Sequence, residues 1–181
     1  MTMRSERGFT LIELLIVVAV IGIIAAIAVP GLMRARMAGN EASAMGSLRA
    51  VNSAQTAYST NCAQGFAATM AELATPPATG GQPFVSPDLG GANPIAKSGY
   101  NLTYTPGAAV PGALGSCTGI NNGGPVPFDT YALAAAPISL NSSGVRFFGT
   151  NERQTIYQDS AAITFGALPA RTPSGTSTPI K

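Results

Sequence analysis

From Leu14 to Met33 no side chain carries a charge, and the residues are almost all Leu, Ile, Val and Ala. At about 1.5 Å per residue, a helix of this run crosses the roughly 30 Å hydrocarbon core of a bilayer. A short charged leader, Met1 to Arg7, comes first, followed by Gly8-Phe9-Thr10-Leu11-Ile12-Glu13-Leu14. Two residue choices do not fit a plain anchor. Glu13 places a carboxylate in the apolar stretch, and Pro30-Gly31 places a helix-breaking pair at its far end.

A lone carboxylate in a membrane helix costs roughly 2.5–3.5 kcal/mol on insertion scales, so it is rare unless paired or functional. The bland reading has Glu13 at headgroup level, five residues from the leader. An ordinary secretory signal is a second bland reading, with Ala25-Ala26-Ile27-Ala28 as a loose cleavage site. Against it, the apolar run exceeds a usual signal core and continues in helical style. Arg4 and Arg7 favour a cytoplasmic leader by the positive-inside rule, a bias that Arg34 and Arg36 weaken.

Gly8-Phe9-Thr10-Leu11-Ile12-Glu13, following a leader with Arg4 and Arg7, resembles the N-terminal signature of type IV pilins and of type II secretion pseudopilins. The resemblance covers the first quarter to third of the chain. It implies cleavage between Gly8 and Phe9 by a prepilin peptidase, and N-methylation of Phe9. It also implies that Glu13 meets the new Phe9 amine, in its own chain or in a neighbouring subunit, where it sets axial register. A buried pair of this kind fixes geometry more reliably than it adds stability. Pro30 and Gly31 then form a kink, either static or able to extend or melt.

Charged residues make up 10% of the chain, with a formal net charge of +2, so electrostatics makes no case for nucleic acid as a partner. Loss of the leader leaves the chain near neutral. With 21 Gly and 14 Pro, much of it should be turn and loop. The two cysteines, Cys62 and Cys117, would meet an oxidising compartment in an exported chain. A bridge between them closes about 55 residues, worth on the order of 4 kcal/mol in the chain-entropy model. Two free buried thiols or a metal site are the alternatives. The chain has no histidine and no C-x-x-C spacing, which weighs against metal, so the metal expectation is none.

The same lack of histidine excludes His-based triads, and no phosphate-binding glycine motif or nucleophile elbow appears. The expectation is no enzyme and no cofactor. Glu41, Glu72, Asp88, Asp129, Glu152 and Asp159 read as single solvated charges, without the acidic clustering that calcium wants. Arg49, Arg146 and Arg153 read as isolated surface charges, with pairing to adjacent subunits as the alternative.

Past Pro30 the helical pattern continues to about Thr60, with Met37, Ala44, Leu48, Val51, Ala54 and Tyr58 near one face, and Arg36, Asn40, Ser43, Ser47 and Gln55 mostly elsewhere. Thr69 to Glu72 has the spacing of a capping box. Residues 75–99 read as loop. Strands are expected at 100–105, 130–136, 145–150 and 154–158, the second with alanines that also suit a helix. Short turns between them make an antiparallel meander.

The predicted class is α+β: a long N-terminal helix, apolar in its transmembrane half and amphipathic in its second, packed on a small antiparallel β-sheet head. The expected divisions are leader 1–8, transmembrane or filament-core helix 9–33, head 34–165 and flexible tail 166–181. The resemblance implies a structural pilus subunit that waits single-pass in the inner membrane and then polymerises with itself. Its other partners would be a processing peptidase, a platform protein, an assembly ATPase and, with an outer membrane, a secretin. A pseudopilin of a periplasmic pseudopilus is the nearest alternative. A monomeric anchored binding protein is the alternative from another class.

Overall fold

A computed structural model describes residues 8–62, 64–111, 116–118, 127–166, 173 and 176–180. The leader up to Arg7 lies outside the described residues. One helix, α1, runs over Leu11–Asn61 and is 51 residues long. A short helix α2 (Met70–Leu73) and a 3₁₀ turn (Pro87–Leu89) follow. Six strands complete the fold: β1 (Ile95–Lys97), β2 (Tyr100–Pro106), β3 (Tyr131–Pro137), β4 (Phe147–Asn151), β5 (Ile156–Asp159) and β6 (Thr178–Pro179). The fold is α+β. By compactness the chain divides into one unit ending at Arg36 and a second beginning at Met37.

The first unit is helix from Leu11 onward, and every described residue in it is exposed. Its most apolar 18-residue window has a mean hydropathy of 3.0, and none of that window is buried, so it is long and apolar enough to cross a membrane. The helix continues unbroken through Pro30. Proline has no N–H, so the Ala26 carbonyl loses its partner within the helix there.

In the second unit, α1 buries Glu41, Ala44, Ser47, Leu48, Val51, Asn52, Ala54, Gln55 and Tyr58. The apolar members are the expected stripe apart from Met37, which is half-buried. Ser47 and Gln55 are not on the solvent side as expected: the Ser47 hydroxyl is buried donating to the Ser43 carbonyl of its own helix, and Gln55 is fully buried between Tyr104 and Ala67.

The strands run in sequence order, β1-β2-β3-β4-β5-β6, each antiparallel to the next. Period-two alternation sends Tyr100, Leu102 and Tyr104 of β2 inward with Leu133 and Ala135 of β3 and Phe148 of β4. The alanine-rich segment is a strand because β2 and β4 pair it on both sides, and local propensity is weak against two ladders. On the other face, Gly149 lies under Phe165 and Ile163, where an added Cβ would come within 2.9 Å of the Phe165 ring.

Two strands lie outside the expected set. β1 falls in the segment read as loop and joins β2 through Ser98-Gly99, both at positive φ (47° and 75°), as a tight hairpin turn requires. β6 falls in the segment read as flexible tail, yet Thr178 pairs with Gln158 and Pro179 with Tyr157, and Ile180 packs on the core. Both strands are too short to show an alternating pattern, and backbone pairing holds them.

Candidate functional site

The exposed N-terminal helix begins at the residues singled out for processing. Gly8 and Phe9 precede the helix, and the Phe9 side chain is 82% exposed. Thr10 caps the first turn. Its hydroxyl accepts from the Glu13 N–H (3.3 Å), while the Glu13 carboxylate accepts from the Thr10 N–H (2.9 Å) and the Thr10 hydroxyl (2.6 Å). This is a reciprocal capping box, which satisfies backbone donors that a helix start leaves unpaired. Sequence reasoning found this T-x-x-E spacing at Thr69 and missed it at Thr10, although the signal is the same. The Glu13 carboxylate is therefore partnered within its own chain.

On either side of Glu13, Leu11, Ile12, Leu15, Ile23 and Ile27 are all more than 60% exposed. Water around such side chains costs roughly 1.5–3 kcal/mol each relative to burial. A run of this length needs lipid or other helices around it. Gly31, after Pro30, has open space on all sides of a would-be Cβ.

The second unit holds buried and paired polar side chains of its own. Glu41, read as a solvated charge, is buried at 4% exposure. Its carboxylate accepts from the Val145 N–H (3.0 Å), the Arg146 N–H (3.3 Å) and two guanidinium nitrogens of Arg146 (2.8 and 2.6 Å). Burial pushes the Glu41 carboxyl up, but the Val145 N–H and Arg146 outweigh it and hold it below the usual range. Arg146, read as an isolated or intersubunit charge, thus pairs within the chain. The Tyr100 hydroxyl donates to the Arg146 carbonyl at 2.8 Å, and burial, with the nearby Glu41 charge, pushes it up to about 12.

Glu72 is the second buried carboxylate, accepting from the Tyr58 hydroxyl (2.5 Å) and the Ala68 N–H (2.8 Å). Thr69 caps α2 as expected by accepting from the Glu72 N–H, but the Glu72 carboxylate reaches past Thr69 to Ala68. Asn52 donates to Thr150 (3.0 Å) and accepts from the Tyr131 hydroxyl (2.9 Å), tying α1 to β3 and β4. Asp159, held low mainly by the Ala161 N–H, also accepts from Ser177 and so fastens the chain end.

Cys62 and Cys117 form a disulfide, with Cα atoms 5.2 Å apart and 55 residues between them in sequence. It joins the residue after α1 to the segment whose Cys117 carbonyl accepts from the Ala78 N–H. Among the described residues there is no group of three or more His, Cys, Asp or Glu placed to hold a metal ion. Glu41, Asn52, Gln55 and Glu72 are turned to hydroxyls, to Arg146 and to backbone.

The comparisons with known proteins converge on the N-terminal helix. Residues 3–29 match the family model described as the prokaryotic N-terminal methylation motif. The type IV major pilin protein PilA of Myxococcus xanthus is 48% identical over 53 residues, which are 29% of this chain and 24% of that protein. The type IV wide pilus major component PilA4 of Thermus thermophilus is 56% identical over 39 residues, 22% of this chain and 30% of that protein. A fimbrial protein of Pseudomonas aeruginosa is 71% identical over 28 residues, 16% of this chain and 18% of its own length. The chain thus aligns with less than a third of each of these relatives. No solved structure matches it. Residues 3–29 therefore carry the prokaryotic N-terminal methylation motif, and over its N-terminal segment this chain is similar to the type IV pilins.

Proposed function

We propose that the chain is the structural subunit of a type IV pilus-like filament, polymerised through its N-terminal helix. The observation that carries this is a helix uncharged from Leu14 to Met33 and wholly exposed up to Arg36, fronted by a methylation motif. Prepilin peptidase cuts between Gly8 and Phe9 and Phe9 is N-methylated. The subunit waits in the inner membrane, where lipid covers the helix. On assembly, neighbouring helices replace the lipid.

In this reading Glu13 has two alternative partners. The lone chain satisfies it with Thr10. In the filament the α-amine of a neighbouring Phe9 joins or replaces that contact and sets the register, a role for which a charged pair out of water is best attested. Pro30-Gly31 supplies give, because the helix already lacks a hydrogen bond there. The platform protein, assembly ATPase and secretin enter as the machinery that such a subunit requires.

The test is a Gly8→Leu variant of the full chain in a host with the peptidase. Mass spectrometry should find residues 1–8 retained and Phe9 unmethylated, with no fibres assembled. Normal leader removal in this variant, or a mature wild-type chain not starting at Phe9, would overturn the reading.

A further inference from the structure

Thr10 stands just before α1, and its contacts define where that helix begins. Its carbonyl accepts the first helical hydrogen bond, from the Leu14 N–H at 3.3 Å. Its hydroxyl accepts from the Glu13 N–H, while its own N–H and hydroxyl both donate to the Glu13 carboxylate. A residue capping a helix in this way keeps an extended backbone while the next residue turns helical. Gly8 and Phe9 lie outside the helix, the Phe9 side chain is exposed, and a Cβ built on Gly8 would meet nothing within 4 Å.

Residue types alone would not end the helix there. From Ser5 to Thr10 the chain has no proline, and Gly8 is its only residue of markedly low helix propensity. A helix without this cap can spread its start over several residues, some of them upstream of the Gly8–Phe9 bond. That spread matters to any enzyme that must cut the bond. A peptide bound in a cleft as an extended strand offers its backbone N–H and C=O groups to the enzyme. In a helix those groups are already bonded to one another. A helical bond must first unwind, and a peptidase then acts on the open fraction alone.

We infer that Thr10 is a positioning residue for leader removal: its cap starts α1 at Leu11 and so holds the Gly8–Phe9 bond extended and uncovered, the form a peptidase cleft takes. This rests on the processing proposed above. Gly8, on the other side of Phe9, disfavours helix as well, so the bond stands ahead of the cap with nothing to wind it. The capping box also outlives the cut. Thr10 and Glu13 both lie on the C-terminal side of the Gly8–Phe9 bond, so cleavage leaves their mutual contacts in place. The mature helix keeps the start it had in the precursor, and the new Phe9 amine emerges one residue ahead of the cap.

Cleavage of the full chain by a purified prepilin peptidase in micelles, followed by mass spectrometry, gives kcat/KM for variants that keep, remove or move the cap. Thr10→Asn keeps it without the hydroxyl and should stay within about twofold of wild type. Arg7→Thr with Thr10→Gln moves the box upstream to position 7, so that Phe9 joins the helix. Its kcat/KM should fall about tenfold against Arg7→Thr alone, in KM and not in kcat, because less of the chain presents the bond. Thr10→Ala, which leaves the start unfixed, should fall between those limits. Cα chemical shifts at Phe9 report the helix start in the same micelles. A moved box cut as fast as Arg7→Thr alone overturns the inference. So does one that leaves Phe9 outside the helix, since the cap would then not set the start. Thr10→Asn cut as slowly as the moved box overturns it too, by showing that the peptidase reads the hydroxyl itself. Wild-type chain left uncut between Gly8 and Phe9 removes the processing reading, and this inference with it.

Discussion

Replacing Glu41 by glutamine tests the buried carboxylate that fastens α1 to the β3–β4 turn. The carboxylate collects four N–H contacts, two from backbone at 3.0 and 3.3 Å and two from the Arg146 guanidinium at 2.8 and 2.6 Å. The amide oxygen of Glu41→Gln can keep the backbone pair, but its NH₂ then faces the guanidinium, donor against donor. A hydrogen bond to a charged partner is worth about 1.5–3 kcal/mol. The Arg146 side chain is 46% exposed, so water restores part of its loss. A net cost of about 2 kcal/mol follows, or about 4–8 °C in the melting temperature of a unit this size. Urea or thermal unfolding of the full chain in detergent, followed by near-ultraviolet tyrosine signal, measures it. The sign with pH is determined as well. The folded carboxyl is held below its unfolded value of about 4.3, so its stabilisation is complete above that pH and is lost as pH falls through the folded value. The gap between wild type and variant should be full at pH 7 and close below about pH 4. A loss under about 0.5 kcal/mol, or a gap that does not narrow in acid, would refute the reasoning.

Reduction of Cys62–Cys117 should cost about 4 kcal/mol from the 55-residue separation, read as a lowered urea midpoint with reductant present. Asn52→Ala strands the Tyr131 hydroxyl inside the head, while Thr150 keeps its bond to the Thr155 carbonyl, and should cost about 1–3 kcal/mol, compared by urea unfolding with an exposed control such as Ser53→Ala. Thr10→Ala removes the cap at the start of α1 and should cost about 1 kcal/mol. Faster amide exchange confined to the first turn in micelles would show it, and unchanged exchange would count against the capping box.

The apolar helix was legible from residues alone, because a long uncharged run can satisfy its backbone only as helix and its side chains only in lipid or among like helices. The strands at Tyr100, Tyr131, Phe147 and Ile156 were legible from alternation between turn residues, and the bond between Cys62 and Cys117 was one of three readings left open by composition. Polar residues on α1 were a different matter. Glu41, Ser47, Asn52 and Gln55 look like a solvent face when only their polarity is read. Glu41, Asn52 and Gln55 are buried because Arg146, Thr150, Tyr131, Tyr104 and the Ala67 backbone supply partners from 12 to 105 residues away, while Ser47 donates to the Ser43 carbonyl of its own helix. Short edge strands β1 and β6 were hidden for a related reason, since backbone pairing leaves no side-chain signature. What the sequence determined by itself is the part whose physics is local: a helix needing an apolar environment, its start, and the motif that marks it. Tertiary structure alone decided which charges are buried, because that depends on partners that only the folded sheet brings to α1.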